Sequence, residues 1–416
     1  MKRIYLDHAA TTPVDPRVEE AMRPFWADVF GNASGLYEEG RRAKEALGQA
    51  RVTIAKLIGA KPDEIIFTSG GTESDNLAVF GSARAAMGTP PSSSKPGFET
   101  SKKPGFFPLG GVEEAARFHI ITTKFEHHAV LHPCEELEKR GFNVTYLEVG
   151  GDGIVDPENI KRSLRPETVL VSVMYANNEI GTIQPIAEIG KLIKKYRISN
   201  FSLPTSHFPY FHTDACQAAG YLDLNVNKLG VDLMTVNGSK IYGPKGVGFL
   251  YVRRGTKISP QILGGGQEMG LRAGTETVTL AVGFAKAFEI AQSERESESN
   301  RLTPLRDYFI EQLMKKIPKI VLNGHPIKRL PNNINISIPG TGGEEMVIRL
   351  DARGIACSTG SACSSEFSEP SHVILALGQS REIANSSLRI TMGRNTTKEA
   401  LDYVLDNLSD IIKQHD

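Results

Sequence analysis

The stretch VNGSKIYGPKGVG (residues 236–248) places one lysine, Lys240, between a short apolar strand signal and a turn rich in Gly and Pro. A strand that ends in such a turn directs the next side chain into a cleft at the edge of a sheet. A lysine amine held there can form a Schiff base with an aldehyde cofactor. A solvated surface lysine beside a turn would give the same pattern, and this window alone leaves both interpretations open.

The composition is that of an ordinary globular protein. The chain has 416 residues, of which 40% are hydrophobic, enough for at least two structural units. Its 48 basic and 48 acidic residues cancel, which argues against nucleic-acid binding through charge and against a membrane-surface patch. The N-terminus lacks the apolar segment of a signal peptide, and no apolar run approaches the roughly 18 residues that cross a bilayer. We therefore expect a cytoplasmic protein.

The cysteines do not suggest a disulfide framework or a metal site. There are four in the chain, and no pair has CxxC spacing: Cys134, Cys216, Cys357 and Cys363. Cys363 lies in a loop of small residues, CSTGSACSS (residues 357–365), where a thiol can ionise and reach into a cleft. Cys357 follows Ile355 and Ala356 and is predicted to pack in a core. Cys363 is therefore the candidate nucleophile, with an incidental surface thiol as the alternative.

A buried strand is predicted at Glu64–Thr68, and the following SGGTESD (residues 69–75) turns it into a helix. Thr72 and Asp75 resemble a capping box at the start of that helix. Glycines and exposed backbone amides at a helix start attract a phosphate, which makes Gly71 and Thr72 candidate ligands. A plain strand-to-helix turn is the alternative.

Strand and helix signals then alternate as far as Lys240, which favours a mostly parallel sheet covered by helices on both faces. Beyond residue 264, a helix from Thr277 to about Leu302, a second helix to Lys316 and later strand signals predict a smaller α+β unit. Two irregular stretches, about 87–116 and 199–210, are predicted to be insertions. We predict a large domain of residues 14–263 and a small domain formed by residues 1–13 and 264–416.

Four polar residues at predicted strand ends are further candidates. Asp214 would suit a protonated pyridine ring or would cap a helix. His127 could stack on a flat ring or carry a proton, although a lone histidine is often structural. Asn178 could bind a ring hydroxyl or a substrate, although Asn-Asn is also common in turns. Arg389, with apolar neighbours, could bind a carboxylate through two hydrogen bonds.

Taken together and in chain order, these windows resemble the cysteine desulfurases of the NifS/IscS type, which are pyridoxal-phosphate (PLP) enzymes related to class V aminotransferases. The resemblance runs nearly end to end. It covers YLDHAATTP (residues 5–13), FTSGGTESDN (67–76), NNEIG (177–181), the Asp214 and Lys240 windows, GGGQE (264–268) and GSAC (360–363). It implies the α/β architecture of fold type I, with a mostly parallel seven-stranded sheet in the large domain and a smaller α+β domain.

The resemblance also implies a role for each site residue. Lys240 would bind the PLP aldehyde, Asp214 the pyridinium nitrogen and Gln217 the ring oxygen. His127 would stack on the ring. Asn178 and Arg389 would bind the substrate carboxylate. The phosphate contacts would come from Gly71, Thr72 and Ser239 beside Asn237, and from Thr275 of a neighbouring subunit in a homodimer.

The implied reaction removes sulfur from L-cysteine, giving L-alanine and a persulfide on Cys363. The sulfur would pass to an acceptor such as an iron–sulfur scaffold protein or to tRNA thiolation. This chain departs from the family before the lysine, where Asn237-Gly238-Ser239 replaces the usual Ser-x-His. The hydroxyl of Ser239 can still meet a phosphate, but an imidazole donor is missing.

Three other functions fit parts of this pattern. A selenocysteine lyase would use the same machinery on a carbon–selenium bond. A PLP aminotransferase would return the amino group to a keto acid and would not need Cys363. A non-catalytic scaffold homologue would be favoured if Asn237 and Ser239 prevented PLP binding.

Overall fold

The structure is a computed structural model that describes residues 3–88, 115–200, 208–360 and 369–414. The predicted nucleophile Cys363 lies outside these residues. So do residues 89–114 and 201–207 of the two predicted insertions.

The described chain contains the following strands and helices. The strands are β1 (Ile4–Tyr5), β2 (Ile65–Thr68), β3 (His119–Thr123), β4 (Asn143–Leu147), β5 (Thr168–Ser172), β6 (Tyr210–Asp214), β7 (Leu233–Asn237), β8 (Gly248–Val252), β9 (Val321–Leu322), β10 (Asn333–Ser337), β11 (Ile355–Ala356) and β12 (Ser387–Thr391). The helices are α1 (Pro16–Met22), α2 (Pro24–Ala27), α3 (Glu38–Ile58), α4 (Gly71–Ala86), α5 (His128–Lys139), α6 (Pro157–Ser163), α7 (Ile186–Ser199), α8 (Val226–Leu229), α9 (Val278–Lys316), α10 (Gly343–Asp351), α11 (His372–Ala376), α12 (Arg381–Asn385) and α13 (Lys398–Lys413).

The main sheet has seven strands in the spatial order β2-β8-β7-β6-β5-β3-β4. Only β8 runs against the others, since it pairs antiparallel with both β2 and β7 while the remaining pairs are parallel. The strands β2, β3, β5, β6 and β8 are buried along their whole length, as expected for strands covered on both faces. The predicted mostly parallel seven-stranded sheet is confirmed.

Four strands of this sheet end next to predicted site residues. β6 ends at Asp214, and β7 leads into the 3-10 turn Gly238–Lys240. β2 ends just before Gly71 begins α4, and β3 ends four residues before His127. Because these strands run in the same direction, the ends meet at one edge of the sheet, where open α/β sheets bind their ligands.

A second, smaller group of strands lies in the C-terminal part of the chain. β12, β10 and β9 form an antiparallel sheet, and β1 pairs with β11 in a parallel ribbon. Isolated bridges at Asp7–Thr391 and Ser358–Arg389 join the ribbon to that sheet. Leu6 packs in a separate hydrophobic cluster with buried residues from 302 to 412. The division into domains at residues 13/14 and 263/264 remains a prediction.

The helix after residue 277 differs from expectation. The sequence predicts two helices that meet near Leu302, whereas the structure has the single helix α9 of 39 residues, with Pro304 inside it. Pro304 removes one backbone donor, which costs about 3 kcal/mol in a helix interior. Burial of Leu302, Phe309 and Leu313 in the second cluster offsets that cost and keeps the helix continuous.

Among the described residues, no helix combines the length and the apolar character that crossing a membrane requires.

Candidate active site

Lys240 occupies the 3-10 turn that follows β7. Its Nζ donates to the backbone oxygen of Ala10 over 2.5 Å. Thr12, two residues further along the same N-terminal loop, donates to the backbone oxygen of Ser239 from its amide (2.9 Å) and from its hydroxyl (3.0 Å). The loop of residues 7–12 therefore lies over the lysine turn, which excludes a freely solvated lysine.

Asp214 and Gln217 lie beside this lysine at the end of β6. Asp214 is 7% exposed, and its Oδ1 accepts a hydrogen bond from the Cys216 amide over 2.8 Å. Gln217 donates from Nε2 to the backbone oxygen of Ala9 over 3.0 Å. Lys240 and Gln217 thus bind consecutive carbonyl groups of the same loop, and the structure brings the two predicted residues together.

His127 precedes α5 and caps it, because its Nδ1 accepts a hydrogen bond from the Ala129 amide over 3.0 Å. Burial lowers the pKa of His127 below its ordinary value, while the charge of Asp214 opposes this effect and that of Lys240 adds to it. The imidazole is therefore neutral near pH 7 and lies within electrostatic reach of both residues. A neutral ring suits stacking on an aromatic ligand.

Gly71 begins α4 with the open amides of a helix start. Its preceding residue, Gly70, has φ 148°, and no side chain in the described structure caps the helix. A Cβ on Gly71 would lie 2.9 Å from Cys216 Sγ and 3.6 Å from Asn237 Cβ, so only glycine fits this position. Thr72 is exposed on the first turn. The first turn of a 16-residue helix is a suitable site for a phosphate.

The capping box predicted at Thr72 and Asp75 is wrong. Asp75 is buried, with Oδ1 3.5 Å from His212 Nε2, and Glu73 reaches back to accept from the Ser69 amide over 2.8 Å. Asp75 faces the sheet because it lies four residues after Gly71 and so shares its side of the helix. That spacing was available in the sequence and could have identified Asp75.

Asp75 and His212 form a buried polar group behind Asp214. The His212 ring lies between Ser172 Oγ (2.8 Å) and Thr235 Oγ1 (3.1 Å), and burial lowers its pKa to about 4. Burial raises the pKa of Asp75 well above its ordinary value, and the negative charge of Asp214 raises it further. A neutral Asp75 leaves Asp214 as the carboxylate available to a cationic ligand.

Glu126 supports the turn that carries His127, a role the sequence did not reveal. Its Oε1 accepts from Thr123 Oγ1 (2.7 Å) and from the Met174 amide (2.9 Å), which ties the end of β3 to the segment after β5. Burial raises the pKa of Glu126 to about 8. The pair Glu126-His127 therefore combines a buried support with a ligand-facing ring.

Arg389 and Asn178 meet on the side of the small sheet. The Arg389 side chain is 5% exposed, and it donates from Nη2 to Asp7 Oδ1 (2.8 Å) and from Nη1 to the Asn178 backbone oxygen (3.0 Å). Within the described residues, Arg389 Nε and Asn178 Oδ1 are buried without a hydrogen-bond partner. Unpaired buried polar atoms are rare and are expected where a ligand completes the site. The partner Asp7 was not predicted, although it lies in a window quoted above.

The remaining predicted residues have mixed positions. Asn237 Oδ1 accepts from the Ser239 amide (3.2 Å) and from Ser239 Oγ (3.3 Å), so these two cofactor candidates bind each other beside Gly71. Thr275 is exposed in the loop before α9, and the structure does not place it with the Lys240 cluster. The position of Cys363 is outside the described residues.

The residues present fit PLP, the cofactor that the resemblance implies. They combine an amine (Lys240), a buried carboxylate (Asp214), a neutral imidazole (His127) and a helix start that only glycine permits (Gly71) at one sheet edge. These groups match an aldehyde, a pyridinium nitrogen, an aromatic face and a phosphate. In the described chain, no group of three or more His, Cys, Asp or Glu side chains could hold a metal ion.

Comparison with known proteins agrees with this site. The family model described as aminotransferase class-V matches residues 4–89 and 113–404. A cysteine desulfurase IscS of Dictyoglomus turgidum is 50% identical over 415 residues, which cover 100% of this chain and 96% of that protein. A cysteine desulfurase IscS of Methanosarcina thermophila is 46% identical over 413 residues, covering 99% and 93%.

A solved structure of a NifS-like protein superposes with a TM-score of 0.84 at 34% identity, covering 99% of this chain and 100% of that one. Matches of this extent span both the main sheet and the C-terminal strands. The chain belongs to the class V aminotransferase family and, within it, to the cysteine desulfurases.

Proposed function

We propose that this enzyme is a PLP-dependent cysteine desulfurase that converts L-cysteine to L-alanine and holds the sulfur as a persulfide on Cys363. The carrying observation is the loop of residues 7–12, which joins a carboxylate-binding site to an amine. Asp7 binds Arg389, Ala9 binds Gln217 and Ala10 binds Lys240. An α-amino acid has its carboxylate and its reacting carbon next to each other, as such a joined site requires.

PLP, when bound, supplies an aldehyde for amines and an electron sink for the substrate Cα. Around it, Asp214 would hold a proton on the ring nitrogen, Gln217 would bond the ring oxygen and His127 would cover one face. The phosphate contacts would come from the first-turn amides at Gly71 and Thr72, the Ser239 hydroxyl and Asn237. Thr275 of a second subunit would complete them in a homodimer.

Arg389 and Asn178 would fix the substrate. The Arg389 guanidinium is already oriented by Asp7, so it can bind the cysteine carboxylate without losing much side-chain entropy. The Asn178 amide would contact the same carboxylate or the ring. With the carboxylate held, Lys240 Nζ would take the proton from the substrate Cα and return it later in the reaction.

Cys363 would accept the sulfur. Its thiolate attacks the substrate Sγ, a sulfur–sulfur bond forms, and the electron pair of the Cβ–Sγ bond stays with the carbon fragment, which takes up a proton. The sum is cysteine plus a thiol giving alanine plus a persulfide, so no outside oxidant or reductant is needed. The loop of small residues around Cys363 suits a thiol that attacks inside the site and delivers to an acceptor outside.

Three further points belong to this proposal. The protein acts as a homodimer, it passes sulfur to an acceptor protein such as an iron–sulfur scaffold, and it works in the cytoplasm. The balanced charge of 48 basic and 48 acidic residues favours a protein acceptor over direct nucleic-acid binding.

The experiment compares purified wild type with Cys363→Ala, using Cys357→Ala as the matched control because Cys357 is a buried thiol nearby. The visible spectrum is recorded, L-cysteine and a reductant are added, and sulfide and alanine are measured. We expect a PLP absorption band in all three proteins and loss of sulfide release in Cys363→Ala only.

Each alternative function predicts another result. A band with transamination that Cys363→Ala leaves unchanged would contradict the desulfurase and support an aminotransferase. Absence of the band would support the non-catalytic scaffold. Selenocysteine assayed in parallel tests the lyase, which would process it and leave cysteine unreacted.

A further inference from the structure

Glu179 is a buried residue that the proposed reaction has not used. It follows Asn178 and is 2% exposed. Its amide donates to Asn177 Oδ1 over 2.8 Å, and its backbone oxygen accepts from the side-chain amides of Asn333 (3.1 Å) and Asn335 (3.2 Å) on β10. The backbone of Glu179 is thereby fixed between the main sheet and the small sheet.

The carboxylate of Glu179 contacts both residues that frame the segment 361–368. Ser371 donates from Oγ to Glu179 Oε2 over 2.6 Å. Gly360 lies against the same oxygen, since a Cβ on Gly360 would be 2.9 Å from it, and its φ of 94° also favours glycine. One buried oxygen atom therefore meets the chain where it leaves the described structure and just after it returns.

The same two chain ends are linked to the substrate and cofactor sites. On one side, Ser358 and Arg389 exchange backbone hydrogen bonds of 3.2 and 2.6 Å, and the Gly360 amide donates to Ser358 Oγ over 3.1 Å. On the other side, His372 Nε2 lies 2.9 Å from the backbone oxygen of Glu126, next to the predicted stacking residue. A shift of either end would therefore be felt at Arg389 or at His127.

We infer that Glu179 is a positioning residue that holds both ends of the chain segment containing Cys363, and so fixes where the thiol starts relative to a cysteine bound by Arg389 and Asn178. This inference rests on the proposed function. The adjacent pair Asn178-Glu179 then has two tasks: Asn178 faces the substrate carboxylate, and Glu179 registers the sulfur-accepting segment against it.

The Glu179 carboxylate suits this task because it is a charged acceptor for the Ser371 hydroxyl and is buried. Hydrogen bonds to charged groups are stronger than neutral ones, and a buried donor left without its partner is destabilised. Glutamine keeps the shape and one acceptor oxygen, whereas alanine removes both contacts. The effect should therefore increase from Glu179→Gln to Glu179→Ala.

The test uses the holoenzyme as wild type, Glu179→Gln, Glu179→Ala and the control Glu188→Gln, an exposed glutamate in the first turn of α7. Three quantities are measured: the cofactor absorption band, the cysteine affinity from the spectral change on titration, and the single-turnover rate of persulfide formation. Hydrogen exchange is followed in peptides that cover residues 355–360 and 369–377, with β6 as reference.

We expect the band and the cysteine affinity to stay within twofold of wild type in all variants. The persulfide rate should fall about tenfold in Glu179→Gln and about a hundredfold in Glu179→Ala, the size of a lost charged hydrogen bond. Exchange should increase in the two framing peptides of Glu179→Ala and remain unchanged in β6. Glu188→Gln should match wild type throughout.

Two results would overturn the inference. One is a wild-type persulfide rate in Glu179→Ala; the other is loss of cofactor or cysteine binding as large as the loss of rate, which would mean a general structural role. If wild type itself forms no persulfide, the proposed function fails separately, and the exchange data still decide whether Glu179 holds the two ends.

Discussion

The two halves of the candidate site are built in different ways. The cofactor half consists of Lys240, Asp214, Gly71 and His127, which all follow strands of one buried sheet. The substrate half consists of Asp7, Asn178 and Arg389, which come from the two ends and the middle of the chain. The first half depends on local strand ends, and the second depends on the docking of the small sheet.

This difference separates two properties that are often lost together in variants. Changes in the cofactor half should alter the chemistry and the visible spectrum, with intact binding of the amino acid carboxylate. Changes in the substrate half should weaken cysteine binding and leave the spectrum unchanged. Only the loop of residues 7–12 touches both halves, through Asp7 on one side and Ala9 and Ala10 on the other.

The largest effect is expected for Lys240→Ala. Loss of the amine removes both the covalent attachment of PLP and the proton carrier, so alanine formation should fall by about 10⁴-fold. The absorption band of the protein-bound aldehyde should disappear. Lys245→Ala, in the same turn but exposed, is the matched control and should behave like wild type. Substantial turnover by Lys240→Ala would disprove the assignment of the lysine.

A smaller but still large loss is expected for Asp214→Asn. A neutral amide cannot hold a proton on the ring nitrogen, and the loss of one partner from a buried ion pair costs roughly 3–5 kcal/mol. We expect kcat to fall by about 10²- to 10³-fold with little change in cysteine affinity. Stopped-flow spectra with cysteine separate the two quantities. A normal kcat would show that Asp214 only caps the turn before Cys216.

Arg389→Lys should affect the other half of the site. A lysine cannot form the paired hydrogen bonds of a guanidinium, so KM for cysteine should increase by about 10- to 100-fold while PLP content and spectrum stay normal. Cysteamine, which lacks the carboxylate, is the control substrate and should bind wild type and Arg389→Lys equally weakly. A wild-type KM, or a loss of PLP, would contradict the separation of the two halves.

The smallest effect concerns stability and the buried Glu126 of the cofactor half. Its pKa rises from an ordinary 4.5 to about 8 on folding, so between these pH values the folded protein retains a proton that the unfolded chain releases. The free energy of unfolding should therefore fall with rising pH, by about 1.4 kcal/mol per unit relative to Glu126→Gln. Urea unfolding of both proteins at pH 5.5, 6.5 and 7.5 measures this, and parallel curves would refute it.

The sequence was most informative where one local pattern determines a position. A strand followed by a Gly-rich turn identified Lys240, Gly71 and the end of β6 at Asp214, because a strand end in a parallel sheet has only one place to go. The mostly parallel sheet followed from the same alternation. The resemblance to a known family then assigned the roles, which composition and spacing could not do.

The sequence was less informative where a partner lies far along the chain. Nothing in the Asp7 window shows that it will meet Arg389, 382 positions later, since that contact depends on β1 pairing with β11. Asp75 was misinterpreted for another reason: a carboxylate near a helix start has the same local pattern whether it caps the helix or is buried beneath it. The length of α9 was likewise set by tertiary packing across Pro304.

Helix α9 also limits how this protein can be divided. Its first part places Phe284 and Phe288 in the hydrophobic cluster of the main sheet, and its later part places Leu302 and Phe309 in the cluster of the small sheet. At about 1.5 Å per residue, its 39 residues form one rod of roughly 58 Å shared by both. Chimeras with a relative should therefore exchange this helix whole, because a crossover inside it would mismatch one of the two cores.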